Sequence, residues 1–298
     1  PPMPERAPLD FVVIGAQKAA TSWLYLCLRD HPGIHVPPSK LEREYLGGSE
    51  HAEKGTEWFL RQLGTPEPGQ VVGDVSVQYQ GNPRSPAAVA AIAPAARVVL
   101  LAREPVDRAL SAHAWLLRRG LTSEHDPVAA LRHALADEAA GRDTPFVDLL
   151  TRGDYHLHLA RWIDQFGPEA IYVERYDRVA QDPAGVIEGI YAFLGVDPSV
   201  RPASLGERPK QNARSKVLLA AERMAPRARV VRWAMNRLNQ VAARVAGPAP
   251  PPPLPADLRA ALDARFRDGR ARLDALLEGV PASQRPACPF AEAWASQS

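Results

Sequence analysis

Leu9-Asp10-Phe11-Val12-Val13-Ile14-Gly15-Ala16-Gln17-Lys18-Ala19-Ala20-Thr21-Ser22-Trp23-Leu24-Tyr25-Leu26-Cys27-Leu28-Arg29 carries the pattern on which the fold depends. Phe11 to Ile14 is an uninterrupted run of β-branched and aromatic residues, the mark of a short strand buried on both faces. Gly15 ends that run, and from about Ala19 the residues Trp23, Leu24, Leu26, Cys27 and Leu28 recur at helical spacing. Strand, glycine turn and a helix opening with Lys18, Thr21 and Ser22 form a phosphate cradle. Turn amides and the positive end of the helix converge there on one anion. Lys18 adds a mobile charge and Thr21 and Ser22 add hydroxyl donors, while Gly15, Gln17, Ala19 and Ala20 supply the backbone of the same turn.

The cradle resembles the P-loop of nucleotide triphosphatases but departs from it where that loop binds magnesium. The P-loop ends in Gly-Lys-Ser/Thr, whereas here Ala19-Ala20 precede Thr21 and the lysine comes earlier, at position 18. The spacing Gly15-x-x-Lys18-x-x-Thr21-Ser22 is instead similar to the 5′-phosphosulfate loop of sulfotransferases that use 3′-phosphoadenosine 5′-phosphosulfate (PAPS). A plain βα turn with a surface lysine is the alternative on this stretch alone.

The 298 residues suffice for one large α/β domain or two small ones, with ample sequence for a buried core. A formal net charge of +2 gives no general attraction for polyanions, so nucleic acid is not an expected partner and any anion site is local. Two cysteines, Cys27 and Cys288, make no disulfide framework and suit a reduced, cytoplasmic protein. No charged-then-apolar segment precedes Phe11, and no apolar run is long enough to cross a bilayer. Abundant Ala, Arg and Pro point to a bacterial source. No metal-ligand cluster is evident, and no metal is expected.

Beyond the first helix, His31 and His35 fall in a Pro/Gly-rich connection and read as structural polar residues. Val71 to Val77 reads as a second core strand, and Arg97 to Ala102 as the clearest buried strand of the chain. The latter runs into Arg103-Glu104-Pro105-Val106-Asp107-Arg108-Ala109-Leu110-Ser111. Pro105 suits a first helical turn, so Arg103 sits at the strand's carboxyl end and Ser111 about two turns into the next helix. Ligands of open parallel sheets bind at the carboxyl ends of strands. An arginine fork and a hydroxyl converging there suit a phosphate monoester. Taken singly, Arg103 could be a strand-end surface charge and Ser111 a helix-surface residue.

Arg103 through Ser111 closely resembles the 3′-phosphate motif of PAPS-dependent sulfotransferases, and it follows the cradle in that family's order. Gly153-Asp154-Tyr155, Trp162 to Gly167, Ile171 to Asp177 and Asp182-Pro183 through Phe193-Leu194-Gly195 are similar to the family's second half. The likeness spans roughly Phe11 to Val196 and extends more weakly to Pro255–Leu277, nearest the heparan-sulfate-type and bacterial carbohydrate or natural-product branch.

The resemblance implies a P-loop-like three-layer α/β/α fold with a central, mostly parallel sheet of about five strands and a helical C-terminal region. It implies transfer of a sulfuryl group from PAPS to a hydroxyl or amine of a sugar or natural product, with release of 3′,5′-adenosine bisphosphate (PAP). In that branch a glutamate in a Lys-Glu-x-x-Phe-Phe loop is the general base. Leu41-Glu42-Arg43-Glu44-Tyr45-Leu46 falls on this loop, which implies Glu42 as base, with Glu44 and Asp74 as competitors. Leu41 replaces the loop lysine, and Asp74-Val75-Ser76-Val77 lacks the lysine of the family's next strand. Trp23 stands where some members stack a tryptophan on adenine, with core packing as the alternative. The family's closing loop falls near Pro209–Lys216, which implies Asn212, Arg214 and Ser215 as cofactor contacts.

One sulfotransferase domain over residues 1–298 is therefore expected, with a variable basic helical and Pro-rich segment at 204–255. The arginines of 218–245 form either a solvated face or a surface for a membrane or lipid-bearing acceptor. Two other functions fit an α/β core. A P-loop kinase or NTPase would need an acidic residue at the strand end now occupied by Arg103. A non-catalytic nucleotide-binding protein would accommodate the altered Glu42 loop.

Overall fold

A computed structural model describes residues 8–40, 45–207 and 253–295. Five strands, β1 (Phe11–Gly15), β2 (Ile34–His35), β3 (Val71–Val75), β4 (Arg97–Ala102) and β5 (Ile171–Arg175), form one sheet in the order β2-β3-β1-β4-β5. Every neighbouring pair is parallel. The expected α/β architecture with a five-stranded parallel sheet is therefore present. β1 is the hinge of the topology, because the chain builds β2 and β3 on one side and then crosses it to build β4 and β5 on the other. The crevice at such a reversal is where open parallel sheets bind ligands.

Helices α1 (Thr21–Asp30), α2 (Ser49–Lys54), α3 (Thr56–Leu63), α4 (Ser85–Ala90), α5 (Pro105–Arg119), α6 (Pro127–Ala139), α7 (Asp148–Thr151), α8 (Tyr155–Phe166), α9 (Tyr176–Gln181) and α10 (Pro183–Leu194) flank this sheet. After the basic segment come α11 (Ala256–Leu277) and α12 (Phe290–Ala295). The strands are buried almost throughout, as their unbroken apolar runs require in a sheet covered on both faces.

The buried side chains fall into two clusters. One surrounds the sheet and takes in Trp23 and Leu24 of α1, Trp162 of α8 and Ile187 and Ile190 of α10. The other joins α5, α6 and α7 to the first half of α11 through Val106, Leu131, Leu149, Leu262 and Phe266. His31 and His35 are structural, as expected: His31 Nε2 bonds the Asp197 carbonyl at 3.0 Å and His35 Nε2 the Leu63 carbonyl at 2.7 Å.

Both cysteines are free, Cys27 wholly buried and Cys288 partly exposed. Burial, reinforced by the Asp30 and Glu207 carboxylates, pushes the Cys27 thiol up to about 12. A thiolate is the reactive form, so at pH 8 a disulfide-exchange reagent should titrate one thiol per native chain and two in denaturant. Two fast thiols in the native protein would show that α1 does not pack as described.

Candidate active site

The cradle hangs between β1 and β4. Gly15 pairs with Leu100 across a local register shift, and the next amide, Ala16 N–H, donates to the Leu101 carbonyl at 2.7 Å. Lys18 (φ 73°) and Ala20 (φ 63°) both adopt the left-handed region, which non-glycine residues seldom occupy. Such strain, about 1–3 kcal/mol per residue, persists where surroundings enforce it, typically at ligand clamps. Turns of this kind aim successive N–H groups into one anion-binding concavity. Ala20 is also the N-cap of α1, so no side chain caps the helix, and no acidic residue lies in its first turn. Among the described residues no side chain caps its positive end, a position that favours an anion.

Around this backbone, Gln17 and Lys18 are half-buried, Ala19 is buried and Ser22 is exposed. Thr21 is buried, and its Oγ1 accepts a 3.1 Å hydrogen bond from Lys40 Nζ. Trp23 is 2% exposed and its Nε1 donates to the Leu205 carbonyl at 3.3 Å. Its burial fits the core-packed one of the two readings of this position.

Arg103 stands one residue beyond β4. Its Nη1 donates to the Lys18 carbonyl at 3.3 Å, its guanidinium lies 4.6 Å from the centre of the Tyr176 ring, and Nη2 is 4.0 Å from Asp107. Its main chain is bracketed by one phenol, since Tyr155 Oη donates to the Arg103 carbonyl at 2.8 Å and accepts from its N–H at 3.3 Å. Burial pushes that phenol up to about 12, so it stays a neutral hydroxyl able to do both. Arg103 Nε is buried without a hydrogen-bond partner among the described residues, which leaves donor capacity for a ligand. Asp107 and Ser111 follow on α5 at helical spacing, so both share the face that Arg103 adjoins. Behind them Arg108 is wholly buried and donates to the Leu149 carbonyl. Burial pulls its guanidinium down to about 10, still cationic at neutral pH, which adds positive potential behind the corner.

On the other side of the cradle, Asp74 at the end of β3 is fully buried. Oδ1 accepts from Val75 N–H at 2.7 Å and Oδ2 from Tyr79 Oη at 2.6 Å. A carboxylate so enclosed is a strut rather than a free base. Tyr79 in turn accepts from Leu46 N–H at 3.4 Å, Asn82 Nδ2 donates to Tyr45 Oη at 3.2 Å, and Ser85 Oγ donates to the Leu46 carbonyl at 2.7 Å. Glu42 and Glu44 lie outside the described residues, as do Asn212, Arg214, Ser215 and the arginines of 218–245.

Lys40, Tyr155 and Tyr176 are site neighbours to which the sequence patterns assigned no role, although Tyr155 and Tyr176 lie in stretches that carry the family resemblance. Lys40 precedes a charged run and reveals itself only by its contact with Thr21. Tyr176 follows β5 directly, and its role was readable only once β4 and β5 were known to be adjacent.

A parallel sheet whose reversal point carries an uncapped helix start and an arginine from the adjoining strand defines a P-loop-like anion-binding α/β protein. The sequence profile of the Sulfotransferase domain matches residues 8–219. The chain belongs to the PAPS-dependent sulfotransferase family of enzymes, as its two motifs implied. The mouse bifunctional heparan sulfate N-deacetylase/N-sulfotransferase 4 is 30% identical over 203 residues, covering 63% of this chain and 22% of that protein. The human protein named as number 3 of that series is 29% identical over 202 residues, with the same coverage of 63% and 22%. The chain thus spans 22% of the length of these curated relatives. A sulfotransferase from Alicyclobacillus acidocaldarius shares the fold, with a TM-score of 0.68 and 23% identity over 96% of this chain and 98% of that one.

A Cβ on Gly15, whose φ is 153°, would sit 2.9 Å from Gln80 Oε1, and Gln80 is itself held by Ile14 and Arg152. Gly15→Ala should therefore weaken PAP binding about tenfold or more, from a strain of about 1–3 kcal/mol. Gly81→Ala, with open space around its Cβ, should not. Calorimetric titration of both variants checks this, and equal affinities would show that the turn geometry is unimportant.

Proposed function

We propose that this chain moves a sulfuryl group from PAPS to a hydroxyl or amine of a sugar or natural-product acceptor and releases PAP. The observation that carries the proposal is the 3.3 Å hydrogen bond from Arg103 to the Lys18 carbonyl. It brings the Arg103 guanidinium against the cradle, which supports a second anion grip there, as a donor with phosphates on both 3′ and 5′ carbons requires. The fit is supported by the uncapped start of α1 and the unpartnered buried Nε of Arg103.

In this reading the backbone of Gly15, Gln17, Ala19 and Ala20, with Thr21 and Ser22, holds the 5′-phosphate, and Arg103 and Ser111 hold the 3′-phosphate. Glu42 takes the proton of the acceptor as the acceptor oxygen or nitrogen bonds to sulfur and the bond from sulfur to the 5′-phosphate oxygen breaks. Lys18 neutralises the charge that gathers on that departing oxygen. Sulfuryl transfer resembles phosphoryl transfer in needing in-line positioning and charge stabilisation above all. Lys40 bonds Thr21 within the cradle and lies two residues before Glu42, so it supports the base segment from the donor side. Tyr45 and Leu46 support it from the β3 side. Arg214 and Ser215 are carried as closing-loop contacts on family resemblance alone.

The relatives named for heparan sulfate N-sulfation favour a glycan acceptor. The two free thiols favour a reducing, cytoplasmic setting. The Arg-rich 218–245 stretch is proposed as the contact for an anionic or lipid-bearing acceptor.

PAP release from PAPS with a panel of amino sugars, glycans and small-molecule alcohols tests the assignment. Lys18→Ala should lower kcat about 100-fold or more, and undiminished turnover would remove it from the mechanism. Glu42→Gln should lower kcat by about 10²–10⁴ with PAP affinity unchanged. Full activity in that variant would move the base to Glu44.

A further inference from the structure

The family match ends at residue 219, so α11 lies beyond it. Yet two arginines of that helix reach the carboxylates next in the chain to Arg103 and to Tyr155. Arg270 is 8% exposed, and its Nη2 donates to Glu104 Oε1 at 2.8 Å and to Asp263 Oδ1 at 3.1 Å. Glu104, 2% exposed, immediately follows Arg103 and is the N-cap of α5, its Oε2 accepting from Asp107 N–H at 2.7 Å. Arg265 meets Asp154 through two hydrogen bonds of 2.7 Å and ties it to Glu138 of α6. Asp154 immediately precedes Tyr155, the phenol that brackets the Arg103 main chain. Between these two clasps Phe266 presses on the corner: a Cβ on Gly153 would lie 2.9 Å from its ring and 3.0 Å from Pro105.

We infer that Arg270 is a positioning residue for the donor's 3′-phosphate, acting through the Glu104 cap to fix where Arg103 leaves β4, so that the C-terminal helix tunes discrimination between donors with and without that phosphate. The inference rests on the assignment of Arg103 to the 3′-phosphate. The physical reason is direct. A fully buried carboxylate whose two oxygens bond a guanidinium on one side and a helix amide on the other cannot rotate without breaking one of them. Arg103 is the next residue along the same backbone. If Arg270 is lost, Glu104 is left a buried anion without its cation and must shift toward solvent or protonate. Either change loosens the first turn of α5, which carries Asp107 and leads to Ser111. The cradle hangs mainly on β1 and on the Leu101 carbonyl inside β4, and touches the clasp only through the single Arg103 hydrogen bond to the Lys18 carbonyl.

The test reads binding of PAP against 5′-AMP, which lacks only the 3′-phosphate, in the full chain. Wild type should prefer PAP. Arg270→Met should weaken PAP about tenfold while leaving 5′-AMP within about twofold, and Arg270→Lys should recover part of the loss. In an Arg103→Met background, Arg270→Met should have no further effect on PAP, because its action passes through Arg103. Where Arg270→Met does not fold, as judged by its melting transition, Arg270→Lys and Glu104→Gln are expected to show the same selective loss. Equal weakening of both nucleotides, or an unchanged ratio in folded variants, overturns the inference and makes the clasp merely structural. So would additive effects in the Arg103 background. A wild-type protein with no preference for PAP over 5′-AMP would instead overturn the assignment of Arg103 itself.

Discussion

The parallel pairing of β1 with β4 is the constraint on which the site depends. Parallel neighbours deliver their carboxyl ends to the same edge of the sheet, so Gly15 and Arg103, far apart in the chain, emerge side by side. The Ala16 amide continues the ladder onto the Leu101 carbonyl, which carries the turn out of the sheet at a defined angle. Without that pairing the cradle would be a loop and Arg103 a surface charge. With it, one hydrogen bond from the Arg103 guanidinium to the Lys18 carbonyl joins the end of β4 to the turn after β1.

That bond lies in a corner held before any ligand arrives. Arg103 is stacked on Tyr176, bracketed at its main chain by Tyr155 and followed by a capped, proline-started helix. The cradle keeps Lys18 and Ala20 in a backbone region they would otherwise avoid. Electrostatic stabilisation of a departing anion is strongest when the dipoles and charges need not reorganise at the moment of reaction. A rigid donor corner is therefore what a loose, charge-separating transfer requires. Two of the carboxylates of this corner, Glu104 and Asp154, are each paired with an arginine of α11, which offsets their charge.

Much of this was legible in the chain because it rests on local rules. The strand Arg97–Ala102 follows its apolar run to the residue, and Pro105 marks the first turn of α5 as its lack of an amide hydrogen predicts. What was not legible depends on contacts between distant segments. Lys40 is one of several charges in a polar run, and only its distance to Thr21 separates it from its neighbours. Asp74 could be a base by composition, and only burial beside Tyr79 shows it to be a strut. Trp23 has the spacing of a stacking residue and also of a core residue, and helical periodicity cannot choose between them. Arg270 sits in a helix of many charges, where the pairing that matters lies 166 residues away.

These contacts divide the labour of the sheet edge. In the proposed reading the end of β4 serves the donor, with its arginine, its capped helix and the clasp from α11. The end of β3 would serve the acceptor side, where Asp74 fixes Tyr79, and Tyr79 with Asn82 and Ser85 fixes Tyr45, Leu46 and Gly47. β1 lies between them and leads into the turn that carries Lys18, which the proposed reading sets at the departing oxygen. A donor common to a family can be held by such regular elements, because phosphate positions are the same in every reaction. An acceptor that differs from enzyme to enzyme calls for parts that can change without disturbing the sheet. Lys40 and Tyr45 are each tied to the fold, and in the proposed reading the residues between them carry the base and are the part that can differ.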